Sequence, residues 1–271
     1  MPAPQARHTS DTPRETRGTV VIKVGGSVAG QTSADADIVA ALHDAGTPLV
    51  VVHGGGPLVG EWSTRVGLEP RFERGLRVTD EATRDVALAV LAGLANSRLV
   101  AALVQRGVPA VGLSGIDGGL LRAERESVDL GLVGRVTLVD SSLVEELIDA
   151  GRVPVIAPAA LESGTGELLN VNADSVAGAV AASIGARLLA FITDVPGVRG
   201  RDGKLIPLLD RTSAGALVED GTIEGGMLPK VEACLLAASA GCRAAIVASG
   251  GDGLERLLGG GTAGTVFEIA E

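Results

Sequence analysis

The chain has 271 residues, 46% hydrophobic but only 1% aromatic, so its core must be aliphatic, built from Val, Leu, Ile and Ala. That length supports one large α/β domain or two modest lobes. A net charge of -10 at pH 7 argues against a nucleic-acid or anionic-membrane partner, since the overall field repels phosphate, while leaving room for a local cationic pocket.

The first 18 residues are rich in Pro, Thr and Arg with almost nothing to bury, which predicts a mobile leader. The leader has no apolar signal-peptide core, and nowhere is there an unbroken run of about 18 to 20 apolar residues. A cytoplasmic protein is expected.

From Thr19 onward, short β-branched runs alternate with Ala/Leu-rich periodic segments. The runs are Val20 to Val24, Leu49 to His53, Ala110 to Leu113, Val153 to Ala157, Leu188 to Thr193 and Ala244 to Ala248. Each is nearly continuous in apolar character and closed by Gly, Pro, Asp or Ser, the pattern of a strand buried on both faces of a parallel sheet. Helices are predicted near 33–45, 57–66, 80–106, 140–150, 173–184 and 226–241. This alternation implies right-handed crossovers and a sheet covered on both sides.

Hairpin signals interrupt it at Leu120 to Val139 and at Val198 to Pro207, where Asp202-Gly203 is a tight-turn pair. No Pro/Ser linker divides the chain, so one sheet-centred domain with two halves is expected. The 80–106 helix starts at a Thr79/Asp80 cap, and its apolar residues cover more than one narrow stripe; a second core face or a homodimer seam would account for that. Cys234 and Cys242, eight residues apart, form neither a disulfide framework nor a metal-ligand pattern.

Of the 23 basic residues only Lys23, Lys204 and Lys230 are lysine. An ammonium is a compact point charge where guanidinium is a planar fork, so a chain that otherwise uses arginine draws attention to each lysine. Lys204 follows the Asp202-Gly203 turn and reads as a solvated loop residue. Lys23 precedes Gly25-Gly26, and the second strand ends in "VVHGGGP", Val51 to Pro57. Two glycine clusters at the C-terminal ends of parallel strands place backbone N–H groups where ligands bind in such sheets, and helix N-termini favour anions. Two tight turns would explain the glycines equally well, but the added lysine favours an anion site.

The G-x-G-x-x-G at Gly259, Gly261 and Gly264 follows a helix and precedes a strand, the wrong context for a dinucleotide site, and no Walker A pattern occurs. In "ERGLRVTDE", Arg77 could clamp a carboxylate bidentately or be an ordinary surface arginine. In "LLNVNADSVAG", Asn170, Asn172 and Asp174 alternate into a helix, and Asn172 reads as its N-cap. "FITDVPGVRG" ends a strand with Asp194 and a Pro-Gly turn.

Together "VIKVGG", "VVHGGGP", "GLRVTDE", "LNVNAD", "TDVPGV" and "GGMLPKVEA", in that order across nearly the whole chain from Thr19 to Glu271, resemble the amino acid kinase family. The resemblance is nearest to members that phosphorylate N-acetyl-L-glutamate in arginine biosynthesis, on the strength of "RFERGLRVTDE" and "NVNAD". It implies an α/β fold, a three-layer αβα sandwich around a mainly parallel sheet. The half at about 19–170 would bind the acceptor and the half at about 171–271 would bind ATP.

The implied reaction moves the γ-phosphoryl of MgATP to the γ-carboxylate of N-acetyl-L-glutamate. In it, Lys23 and Lys230 flank the phosphoryl group, Asp174 holds both ammonium groups, and Gly25, Gly26 and Gly56 donate N–H bonds to it. The resemblance further implies that Gly55, Gly56, Arg77 and Asn170 bind the acceptor, with Arg77 on its α-carboxylate. Asp194, Val195, Pro196, Gly197, Val198 and Arg199, with Thr222, Ile223 and Glu224, would form the adenosine loops. Mg²⁺ would be held by phosphates and water, with no protein ligand.

The chain departs from the family pattern at "SGGDGLERLLGGGTAGT" after Ala248, where similar kinases often carry an Asp-Gly-Arg stretch, a difference bearing on nucleotide or effector contacts. It also lacks the apolar leader helix that links dimers into hexamers in arginine-inhibited members. A homodimer through the 80–106 helix, insensitive to arginine, is therefore expected. Two alternatives stay open: a sister kinase with another acceptor, such as aminoadipate, and a non-catalytic nucleotide-binding homologue.

Overall fold

The aliphatic runs become strands in a computed structural model that describes residues 18–25, 31–73, 75–249 and 252–268. Gly26 and residues 1–17 of the expected leader lie outside the described residues.

The chain begins with β1 (Val20–Val24), α1 (Gln31–Asp44), β2 (Leu49–His53) and α2 (Gly56–Arg65). A small hairpin, β3 (Phe72–Glu73) and β4 (Leu76–Arg77), leads into α3 (Glu81–Leu88), a π-helical stretch at Ala89–Ala95, and α4 (Asn96–Val104). Next come β5 (Ala110–Ser114), β6 (Leu121–Arg125), β7 (Val133–Val139) and α5 (Ser142–Asp149). Then follow β8 (Val153–Ala157), β9 (Ala159–Glu162), β10 (Leu168–Val171), α6 (Ala173–Ser183) and β11 (Leu188–Thr193). The chain continues through β12 (Leu208–Leu209), α7 (Arg211–Glu219), α8 (Leu228–Ser239), β13 (Arg243–Ala248), α9 (Gly253–Leu258) and β14 (Thr265–Phe267).

Eight strands form the main sheet in the order β12-β14-β13-β11-β1-β2-β8-β5. The pairs from β13 through β5 are parallel, whereas β14 runs antiparallel to β13. Side chains alternate across the sheet, so each strand feeds two cores. On one face Val21, Val50, Val52, Leu189 and Phe191 pack with Val176 and Val180 of α6 and Val231 and Ala237 of α8. On the other, Val20, Ile22, Val51 and Ala190 pack with Val39 of α1 and with Leu99 and Leu103 of α4. The result is the expected αβα sandwich.

β1 lies where the chain order reverses, with β2 on one side and β11 on the other. The C-terminal ends of the strands around such a point leave a crevice between diverging crossovers, where ligands bind in open α/β sheets. Lys23, Gly25 and the glycines after β2 stand there.

The Leu120 to Val139 hairpin signal corresponds to the antiparallel pair β6 and β7, and β9 and β10 close with them into a small barrel. Around Asp202-Gly203 the hairpin signal gives an antiparallel bridge between Arg199 and Leu205. The periodic 80–106 segment is one helix from Glu81 to Val104, capped as expected by Asp80, whose Oδ1 accepts from the Thr83 N–H at 2.8 Å. It is not α-helical throughout: the π stretch widens its middle, where Leu91 and Ala95 abut Gly55. By length and composition the helix could cross a membrane, and only 33% of its apolar window is buried.

Candidate active site

Lys23 is carried into the crevice by β1, hydrogen-bonded on both sides and paired in register with Val52 and Phe191. On a central strand, Lys23 is 8% exposed, so its charge is largely withheld from bulk water. Burying an ammonium costs heavily without a counter-ion. Asp174 supplies it: Lys23 Nζ lies 2.8 Å from Asp174 Oδ1.

Asp174 stands in the first turn of α6. Asn172 is the N-cap, as the sequence indicated, its Oδ1 accepting from the N–H of Asp174 at 2.8 Å and of Ser175 at 3.2 Å. From α8, Lys230 Nζ donates to Asp174 Oδ2 at 2.7 Å and to the Gly226 carbonyl at 3.2 Å. Each carboxylate oxygen thus faces one ammonium group, Oδ1 that of Lys23 and Oδ2 that of Lys230. Burial pushes the Asp174 carboxyl up, but Lys23 and Lys230 outweigh it and hold the group below the usual carboxylate range. Two ammonium groups on one carboxylate leave the cluster with a net positive charge aimed at the crevice.

On the β2 side, a cavity of about 250 Å³ is lined by Lys23, Gly54, Gly55, Gly56, Arg77, Leu91, Asn170 and Asp174 among others. Arg77, at the end of β4, is 8% exposed, and its Nη2 donates to the Gly56 carbonyl at 2.8 Å. Its Nη1 is buried without a hydrogen-bond partner, and burial pushes the guanidinium's pKa down. The guanidinium stacks on Phe72, Cζ lying 4.7 Å from the ring centroid. Asn170 Nδ2 lies 3.3 Å from Thr79 Oγ1, which donates to the Arg77 carbonyl at 2.7 Å. A buried cation with an unmet donor beside open space is suited to a carboxylate. A Cβ on Gly55 would sit 2.6 Å from Leu91 Cδ2, so a side chain there would require Leu91 to move.

On the β11 side a second cavity of about 250 Å³ is lined by Lys23, Gly25, Asp35, Pro57, Thr193, Asp194, Lys230 and Ser249, among others. Lys23 thus borders both cavities, and Lys230 borders the second. Of the residues expected to bind nucleotide, Gly25 and Asp194 line this cavity. The others do not: Val198 and Ile223 put their side chains into the core, and Arg199 Nη1 donates to the Gly203 carbonyl at 2.7 Å. Thr222 donates its N–H to Asp220 at 2.9 Å, and Glu224 is exposed ahead of the turn that leads to α8.

Residues that motif reading passed over also stand here. Asp35 of α1 lines the second cavity, and burial pushes its carboxyl up to about 6 despite the opposing pull of Lys23. Thr79 and Phe72 support Arg77, and His53 lies under the glycine loop. A polar residue closing an otherwise apolar strand is the signal that could have found His53; no sequence pattern marked Thr79, Asp35 or Phe72.

The amino acid kinase family profile matches residues 18–249. Acetylglutamate kinase of Methanopyrus kandleri is 48% identical over 251 residues, covering 89% of this chain and 97% of that one. Acetylglutamate kinase of Geobacillus kaustophilus is 46% identical over 234 residues, covering 86% of this chain and 90% of that one. Among solved structures, smu.665 from Streptococcus mutans superposes with a TM-score of 0.77 at 26% identity, covering 92% of this chain and 98% of that one. With its motifs in order around a two-lysine crevice at the sheet's switch point, this chain belongs to the amino acid kinase family.

Proposed function

We propose that this chain is an acetylglutamate kinase, transferring the γ-phosphoryl group of MgATP to the γ-carboxylate of N-acetyl-L-glutamate. The observation that carries the reading is the convergence of Lys23 and Lys230 on Asp174, beside a cavity that ends in the unmet donor of Arg77. The similarity to acetylglutamate kinases of 46% and 48% identity supports the choice of acceptor.

In this reading the acceptor sits in the β2-side cavity with its α-carboxylate on Arg77 and its flank on Asn170, Gly55 and Gly56. The nucleotide sits on the β11 side, in the C-terminal half from about residue 171, against Gly25, the Asp194 to Arg199 loop and the Thr222 to Glu224 segment. A γ-carboxylate oxygen attacks the γ-phosphorus, the new O–P bond forms as the bond to the β-phosphate oxygen breaks, and ADP leaves. No base is needed, because the carboxylate is ionised at neutral pH.

The protein's work is positioning and charge. Lys23 and Lys230 neutralise the charge spread over the migrating group, and N–H groups of Gly25 and Gly56 face its oxygens. Asp174 aims both lysines. Mg²⁺ would ride chiefly on the phosphates and water; Asp35, Asp194 and Thr193 line that end of the site with the hard oxygens its water shell accepts, and the ion would supply further charge neutralisation.

The same reading makes the protein a cytoplasmic homodimer joined along the largely uncovered Glu81–Val104 helix, and insensitive to arginine. Sedimentation should give twice the 27.1 kDa chain mass; a hexamer, or inhibition by millimolar arginine, would overturn that part. The catalytic reading is tested by ADP release: purified protein should release ADP from MgATP only when N-acetyl-L-glutamate is present, and no acceptor-dependent release would refute it.

A further inference from the structure

His53 is the last residue of β2, 3% exposed, and it immediately precedes the Gly54–Gly56 loop that walls the acceptor cavity. Its Nδ1 lies 2.8 Å from the Gly54 carbonyl, and its Nε2 lies 3.1 Å from Asn96 Nδ2. A carbonyl can only accept, so Nδ1 carries the proton and donates to it. Asn96 Nδ2 also donates to the Val155 carbonyl at 2.8 Å and approaches the Leu113 carbonyl at 3.3 Å. The amide has two hydrogens for three neighbours, but the two oxygens hold its nitrogen, not its oxygen, towards the ring, so Nε2 faces a donor group and carries no proton. The imidazole is therefore locked as the neutral Nδ1–H tautomer by geometry alone.

Burial pushes its pKa down, opposed in part by the bond to the Gly54 carbonyl and helped by a smaller push from Lys23 on β1; the facing stretches of β5, β8 and the long helix present Leu113, Val155 and Asn96, none of them ionisable.

Asn96 is held with equal definition. It begins α4 directly after the π stretch, is 5% exposed, and its Oδ1 fills the space over Gly112, where a Cβ would come within 2.1 Å. The same π stretch presses Leu91 and Ala95 onto Gly55. The loop is thus gripped from two sides: the ring below holds the Gly54 carbonyl, and the helix fills the space beside Gly55.

We propose that His53 and Asn96 are positioning residues for phosphoryl transfer: Asn96 sets the imidazole tautomer, and the imidazole's Nδ1–H fixes the Gly54 carbonyl, so that the following N–H groups are aimed before substrate arrives. This inference rests on the kinase reading above. A loop held in advance contributes to the transition state more than to ground-state binding, so its loss appears in kcat.

The test compares His53→Leu, which removes both contacts, with His53→Asn, whose amide nitrogen stands about where Nδ1 was. His53→Leu should lower kcat by about 100-fold or more with KM for ATP changed by less than about threefold, and His53→Asn should recover at least about tenfold of that loss. Turnover of His53→Leu within about threefold of the parent, or no recovery by His53→Asn, would overturn the proposal. Should the variants fail to fold, ¹⁵N spectra of the unaltered protein decide instead. A neutral Nδ1–H ring at pH 7 is expected, and an Nε2–H or doubly protonated ring would overturn the proposal. Those spectra need no substrate, so they stand apart from the kinase reading, which fails only if the unaltered protein does not turn over.

Discussion

Lys230 reaches Asp174 across the crossing of α8 over α6, Nζ to Oδ2 at 2.7 Å, and the crossing is close because Gly178 faces Ala233. A Cβ on Gly178 would lie 2.8 Å from Ala233 Cα. Helix packing therefore sets the position of a charge that sequence distance would leave 56 residues from its partner.

Replacing Lys230 by arginine tests whether shape matters as well as charge. The planar fork cannot occupy the point that the ammonium shares with Asp174 and Gly226, so kcat should fall by about 100-fold or more while KM for ATP changes by less than about fivefold. Steady-state kinetics check this, and near-normal turnover would remove Lys230 from the mechanism.

Asp174→Asn removes the charge that both lysines share. Two buried ammonium groups would then face a neutral amide, and urea unfolding at pH 7 should show a loss of about 3 kcal/mol together with loss of activity. The sign follows from the depressed carboxyl: its contribution is present above the unfolded carboxylate pKa and is lost as pH falls through the lower folded value. The gap between variant and parent should therefore narrow only below about pH 4; a gap that closes between pH 5 and 7 would contradict the assignment.

Arg77→Lys keeps a cation in the acceptor cavity but loses the fork and the stack on Phe72. KM for N-acetyl-L-glutamate should rise by about 100-fold, with KM for ATP changed by less than about threefold. Equal effects on both substrates would mean that Arg77 shapes the fold rather than gripping the acceptor.

How much of this was legible beforehand follows from what each residue does. β1, β2, β8 and β11 were legible because strands buried on both faces read as unbroken aliphatic runs. Lys23 and Lys230 stood out against a background of arginine. The small barrel is only half legible: β6 and β7 lie close in sequence and pair antiparallel, but β9 and β10 are short and close the barrel through non-local pairings with β6 and β7. Asn96 and Thr79 look like polar spacers in the sequence. Their burial comes from strands and helices brought together by the fold, and no local pattern encodes it. No sequence feature marks the π stretch, because its Ala, Leu and Val composition suits a plain α-helix equally well.

Asp35 gives a prediction that no motif suggested. Burial raises its folded pKa to about 6 from the ordinary value of 3.8, with Lys23 opposing, so ionising it costs stability. That cost is absent below the unfolded pKa, grows as pH rises, and is complete above about 6. Asp35→Asn should match the parent's melting temperature near pH 4 and exceed it at pH 7. The same difference at both pH values would show that the carboxyl is not the destabilised form.

The reaction moves a phosphoryl group onto the side-chain carboxylate of an N-acetylated glutamate. Trapping the acyl phosphate with hydroxylamine, with MgATP and a panel of N-acetyl-L-glutamate, free L-glutamate and N-acetyl-L-aminoadipate, measures it directly. Hydroxamate should form fastest with N-acetyl-L-glutamate, by about tenfold or more in kcat/KM over either relative. A preference for aminoadipate would reassign the acceptor, and hydroxamate from none of the three would contradict the account.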